Sequence, residues 1–287
     1  MNRFFKLIIF LYLIIGFLFK TKPVIGLVPY YYNPTLKSLE KDSLSIGQYA
    51  YQLLYFGQIE EGFNLAKLAV KINDSDERLW LILSEAQIAK KLYEDALSSL
   101  KRAEKINNQI SEIYFTKSRI FLKFSRLNEA KIGLEKGLKI KPNNHNAIFQ
   151  LGNIYLMKKD YLKAINKFDE AVKIKPNFWQ AINNKGLAYF EKDNLNLSIK
   201  NFEEAISIEE NAEPLLGLAS CLRIINTNLA IELAKQALLK DPNYVDENYR
   251  KEQLWGEKLQ NSTKELFKNN QLQIEIKVAK SKINKSS

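Results

Sequence analysis

The sequence predicts an all-α protein, a solenoid of about five helix-turn-helix repeats closed by a C-terminal capping helix, and three observations carry that expectation. Eleven Gly and seven Pro in 287 residues are few for a β-rich or loop-rich chain, whereas the abundant Leu, Ile, Lys, Glu and Ala favour helices. Small residues recur every 34 positions: Gly152 is preceded by Ser118, Ser84 and Ala50 and followed by Gly186. The same interval links Ala164 to Ala130, Ala96, Gly62 and Ser198, and Ala171 to Gly137, Ala103, Ala69 and Ala205. Large residues keep the interval too, with Trp80, Tyr114, Ile148 and Ile182 in one row and Phe121, Tyr155 and Tyr189 in another. Small side chains let two antiparallel helices approach closely, and a period of this length marks one supersecondary unit stacked on the next.

Taken in order, residues 1–26 read as a signal peptide or N-terminal membrane anchor. Arg3 and Lys6 precede Leu7–Phe19, an unbroken apolar run of thirteen residues, which is signal-peptide length rather than the roughly 20 residues of a spanning helix. No Ala-x-Ala site follows, and Val24-Ile25-Gly26 is the nearest substitute. Cleavage and retention therefore both stay open; the body is expected across a membrane, on the periplasmic or thylakoid-lumen side, with the cytoplasmic face as the alternative. Residues 27–42 form a Tyr/Pro spacer, because Pro29 and Pro34 each restrain the residue before them.

The strict register starts at Ser43. Repeat windows fall at about 43–76, 77–110, 111–144, 145–178, 179–212 and 213–244, with 145–178 read as the middle of the array. Pro142 and Pro176 stop second helices. The last window fits if its inter-helix turn is two residues shorter. Val245–Phe267 then reads as one amphipathic helix, apolar at Val245, Tyr249, Trp255, Leu259, Leu266 and Phe267. An array exposes its last hydrophobic face, so residues 245–270 are expected to cap it, and 271–287 to be a basic flexible tail.

The stretch Asn144–Pro176 carries a resemblance. Leu151, Gly152, Tyr155, Ala164, Phe168, Ala171 and Pro176 follow the order of large, small, aromatic, Ala, Phe and Pro that marks the tetratricopeptide repeat. The chain resembles that family over 43–244, and 145–212 matches best. The first repeat departs most, with Leu53 where the family prefers Tyr, although Gly57 keeps the turn. The resemblance implies a right-handed superhelix whose first helices line a concave surface. By register the groove-facing residues are Tyr51 and Tyr55; Leu81 and Glu85; Phe115, Arg119 and Lys123; Phe149, Asn153 and Met157; Asn183 and Leu187. They describe an aromatic-lined groove in which Arg119, Asn153 and Asn183 would bind a peptide backbone, or Arg119 a carboxylate. Phe149, Asn153 and Met157 fall at its expected centre. The family's carboxylate clamp needs Lys and Asn on the first repeat, where this chain has Gly47 and Tyr51, so a chaperone C-terminus is not the expected ligand. The architecture also resembles membrane-associated tetratricopeptide proteins of cyanobacteria and plastids, which implies assistance to assembly of photosynthetic membrane complexes.

Catalysis finds little support. His145 is the only histidine and reads as an exposed loop residue; Cys221 is the only cysteine and reads as a small buried one. No Gly-rich phosphate loop occurs, and Asn73–Glu77 lacks the central Gly of a calcium loop and reads as a helix cap. The net charge of +11 divides into +4 over residues 1–42, +3 over 246–287 and +4 over the long body between, without the clustering that nucleic acid demands. The expected function is therefore a scaffold or assembly factor for a protein or peptide partner, with no cofactor, metal, nucleic acid or small-molecule substrate. A structural membrane tether acting through its termini is the alternative.

Overall fold

The computed structural model describes residues 35–286. The chain divides into two compact units, residues 1–42 and 43–287. The predicted export segment and the first half of the spacer, residues 27–34, lie outside the described residues. Helix α1 (Leu36–Tyr55) begins inside the predicted spacer, whose last residues after Pro34 contain no further proline to prevent it.

The second unit is built of antiparallel pairs: the rest of α1 with α2 (Ile59–Ile72), α3 (Glu77–Ala89) with α4 (Tyr93–Ile106), α5 (Ser111–Lys123) with α6 (Leu127–Ile140), α7 (His145–Met157) with α8 (Tyr161–Ile174), α9 (Trp179–Glu191) with α10 (Leu195–Ile208), and α11 (Ala212–Leu222) with α12 (Thr227–Lys240). No strand occurs among the described residues. The pairs number six rather than about five, one for each predicted window, so 145–178 is the fourth pair and not the middle one.

The small-residue rows do what their size allows. A Cβ added at Gly152 would sit 2.4 Å from Phe168 Cε1, and one at Gly186 would sit 2.8 Å from Phe202 Cε1. In the fourth and fifth pairs the Phe of the second helix thus lies against the backbone of the first, and in the third pair Phe115 of α5 lies against Gly137 of α6. Asp76, Asn144, Asp160, Asn194 and Asn226 cap the helices that follow them by accepting a backbone N–H, as expected for the Asn73–Glu77 segment. Lys71, Lys105, Lys139 and Lys173 occupy the last turns of successive second helices, where they offset the negative helix end.

Three predictions are corrected toward the C-terminus. The sixth pair makes up its missing residues in the helix, not the turn: α11 has 11 residues against 13 in α9. The single capping helix is broken. After a 3₁₀ turn (Pro242–Val245) come α13 (Glu247–Glu252) and α14 (Glu257–Leu266), separated where Leu254 takes φ +66°. The predicted flexible tail is α15 (Gln273–Ser286), which follows a 3₁₀ turn (Asn270–Leu272) and buries Leu272, Ile276 and Ala279. The core is correspondingly uneven. One continuous cluster runs from Ile148 to Ala279, whereas the earlier pairs hold three smaller clusters.

Candidate functional site: the first-helix face

Three register rows cross the first helices. The row of Tyr51, Glu85, Arg119 and Asn153 closes at its C-terminal end, with Glu85 half-buried between two exposed members. Tyr51 is 55% exposed and Arg119 is exposed, Asn153 is half-buried, and Leu187, the next member, is fully buried. The row of Tyr55, Lys123 and Met157 runs the same way, from 80% at Tyr55 through 41% at Met157 to 7% at Glu191. In the third, Leu81, Phe115 and Phe149 are half-buried and Asn183 is 0% exposed. The face is open on α1, α3, α5 and α7 and closed on α9.

What closes it is α14, which packs on α9 and α11, both first helices. Glu191 accepts the N–H groups of Lys258 at 3.3 Å and Leu259 at 3.0 Å, so a groove-row carboxylate caps the positive end of α14. Gly256 makes the approach possible, because a Cβ there would lie 2.2 Å from Glu191 Cδ. Lys258 Nζ donates to the Glu191 carbonyl at 2.9 Å and pairs with Asp193. Further along, Ser262 Oγ donates to the Ser220 carbonyl at 2.8 Å, and Arg223 Nε donates to Ser262 Oγ at 2.8 Å. Asn183 is consequently no open groove residue, which corrects its assignment. Its row position was legible, but the segment that covers it lies some seventy residues downstream.

On the open part, several side chains already have partners. Arg119 pairs with Glu85 of the preceding first helix, which also accepts from Thr116 Oγ1 at 3.2 Å, so the guanidinium expected to receive a ligand carboxylate is occupied by an internal one. Asn153 Oδ1 accepts from Asn184 Nδ2 at 2.9 Å. Lys123 Nζ lies 5.5 Å from the Tyr93 ring centre, a cation–π distance. Phe149 stacks between Phe168 at 5.7 Å and Phe178 at 5.0 Å, so it forms wall rather than a projecting anchor. Tyr51, Tyr55 and Met157 remain the projecting apolar groups.

Between α5 and α7 the face deepens into a cleft of about 420 Å³. Phe115, Leu122, Leu134 and Ala147 give it an apolar floor, with Arg119, Asn146 and Gln150 along the rim. Register reasoning overlooked Asn146 and Gln150, since neither lies on the three rows. An apolar recess with a few polar groups beside it suits one inserted side chain of a bound chain.

His145 is not a loop residue: it opens α7, half-buried, with its ring edge-on to Phe178 at 5.2 Å. Cys221 is buried in α11 as expected, 3.4 Å from Ser198 Oγ, and burial pushes its thiol up to about 12. A further buried group, unremarked in the sequence, is Glu213 at the start of α11. The residue keeps some surface, but its carboxyl is enclosed, and Trp255 Nε1 donates to Oε1 at 3.1 Å. Burial raises this carboxyl to about 7, against the lowering pull of Trp255, Asn183 and Tyr244.

Comparison with known proteins agrees with this architecture. One sequence model described as tetratricopeptide repeat matches residues 145–178, and a second matches 111–144 and 180–211. No curated protein matches the chain. Among solved structures, PilF of Pseudomonas aeruginosa aligns with a TM-score of 0.65 at 14% identity, over 75% of this chain and 98% of its own. PilW, a widely conserved type IV pilus biogenesis factor, aligns at 0.63 and 18% identity over 74% and 99%. YrrB, a tetratricopeptide protein with an unusual peptide-binding site, aligns at 0.51 and 16% over 70% and 98%. At these identities the likeness is one of fold.

Proposed function

The chain carries tetratricopeptide repeats in tandem, and from that premise we propose that it is a non-catalytic scaffold that binds a partner polypeptide across the first-helix face of α1, α3, α5 and α7. One observation carries this reading. The same register rows that are open on α1 to α7 are covered at α9 by a helix of the chain itself, which uses a row carboxylate as its cap. That self-docking supports the face as a surface for polypeptide. The open part offers Tyr51, Tyr55 and Met157 as apolar contacts and the α5–α7 cleft as a recess for one apolar side chain, with Arg119, Asn146 and Gln150 near the bound backbone. The Glu85–Arg119 pair leaves no free guanidinium to receive a ligand carboxylate, which favours a neutral, partly apolar segment over an acidic terminus.

The finer reading is an assembly factor for a membrane complex, photosynthetic in the resemblance noted above, with Leu7–Phe19 delivering or anchoring the body; its support is that apolar run. Replacing Ala147 with Trp fills the cleft, and pairing this with Tyr51→Ala strips one open contact. The doubly substituted protein is expected to keep its helical circular dichroism and lose partner capture at least tenfold. Unchanged capture by the folded variant would remove the groove from the account and leave a tether acting through the termini.

A further inference from the structure

The second helices carry a face that the groove does not use, and its charge is polarised along the array. Three rows of 34-residue spacing run over the C-terminal halves of these helices, starting at Lys67, Leu68 and Lys71 of α2. On α2 and α4 the rows hold Lys67, Lys71, Lys101, Arg102 and Lys105, all exposed, and no acid. On α10 they hold Glu203, Glu204 and Ser207 and no base, and α6 and α8 between are mixed. In sequence the five cations fall in two short groups; the repeat period lays one group beside the other.

The acids of these two helices do not neutralise the patch. Glu60 pairs with Lys90 and Glu104 with Lys117. Glu61, Glu94 and Asp95 stand in the first turns, at the opposite end of their helices, where they complement the positive helix ends. None of the five cations joins an ion pair among the described residues. Lys71, Arg102 and Lys105 line a recess of about 400 Å³ between α2 and α4, together with Val70, Trp80 and Ile106. Asp74 also borders it, so three cations meet one carboxylate. A guanidinium fork beside two ammonium groups suits an oxyanion such as a phosphate.

We propose that the C-terminal halves of α2 and α4 dock on the phosphate headgroups of an anionic membrane, with the acidic end of the same face, on α10, turned away from it. Charge complementarity selects this occupant. A polynucleotide needs a basic stripe that continues along its backbone, and here the stripe ends in acids at α10. A second copy of the chain would bring few counter-charges, because on α8 Asp169 pairs with Lys185 and Glu170 with Lys167. That leaves Glu203 and Glu204 of the rows to face five cations. A bilayer surface dense in phosphate meets all five, and clustered Lys and Arg are what such a surface attracts. The patch lies on second helices, so it holds whether or not a partner occupies the first-helix face.

Co-sedimentation of the full chain with vesicles tests this, comparing phosphatidylcholine alone with a phosphatidylcholine–phosphatidylglycerol mixture. The apolar run Leu7–Phe19 is present in every variant, so the differences between variants report the patch. The unaltered chain should prefer the mixture, and added salt should weaken that preference. Lys101→Gln, Arg102→Gln and Lys105→Gln together should lower binding to the mixture by about tenfold or more, since each cation near an anionic bilayer contributes several-fold. Lys91→Gln, Lys159→Gln and Lys192→Gln remove the same charge from the inter-helix turns and should lower it by less than about twofold. Equal losses in the two variants would overturn the docking surface, as would a chain with no preference for the mixture. Unchanged vesicle binding with loss of self-association, or of binding to a DNA duplex, would reassign the patch to a second copy or to nucleic acid. If the first variant lacks helical circular dichroism, Lys67→Gln with Lys71→Gln decides: a loss of about fivefold on the mixture supports the proposal and unchanged binding contradicts it.

Discussion

Lys159 has φ +58°, and the residues at the same place in the other turns, Gly57, Lys91, Ser125 and Asp193, have +79°, +62°, +55° and +60°. The first five first helices are thus each followed by a left-handed residue, the turn after α11 having none, and only the first pair supplies the glycine that suits it. Lys159→Gly should raise stability by about 0.5–1 kcal/mol, once the extra freedom of the unfolded glycine is subtracted; urea denaturation would read it, and a loss of stability would refute it. Gly256 has the opposite sensitivity, since its backbone conformation is ordinary but its space is filled by Glu191. Gly256→Ala should cost about 1–3 kcal/mol through overpacking, seen as earlier exchange of α14 amides with α3 unaffected. Equal protection of α14 in both proteins would show that the cap tolerates a methyl group there.

The first ten paired helices were legible because one period fixes them, a small residue being needed wherever two backbones meet; the sixth pair falls two residues out of that register. The cap was less legible for a physical reason. Val245–Phe267 has the apolar spacing of one helix, and periodicity does not reveal that the chain turns at Leu254 to place Trp255 beside Glu213. Gly256, within that apparent helix, was the available sign of a break. The tail carried a signal as well, since Leu272, Ile276, Ala279 and Ile283 stand at helical spacing and the first three are buried; its lysines obscured them. Ending the chain after Asn269 should therefore destabilise it by about 3–5 kcal/mol, the value of losing two large apolar side chains and their neighbours, measured by chemical denaturation. A change below about 0.5 kcal/mol would mean that α15 adds nothing to the core.

For the repeat unit as a whole, buried residues unite α8 and every later pair in one cluster, whereas the first three pairs keep smaller ones, the last of which also takes Ala147, Leu151 and Ile154 of α7. In a stacked array each unit is supported by its neighbours, so the open first-helix face lies mostly on the less consolidated repeats and the self-covered face on the more consolidated ones. Register alone placed Tyr51, Tyr55, Lys123 and Met157 at exposed positions of the first-helix face; their part in binding is the proposal. The closure at Asn183 was not legible, because it depends on a distant segment folding back. Site-specific photocrosslinking tests the central claim most directly, with the crosslinker placed in turn at Tyr51, Lys123 and Met157 on the open face and at Lys101 and Lys200 on the exposed sides of α4 and α10. The account predicts partner adducts from the first three positions and none from the last two; adducts confined to Lys101 and Lys200 would contradict it.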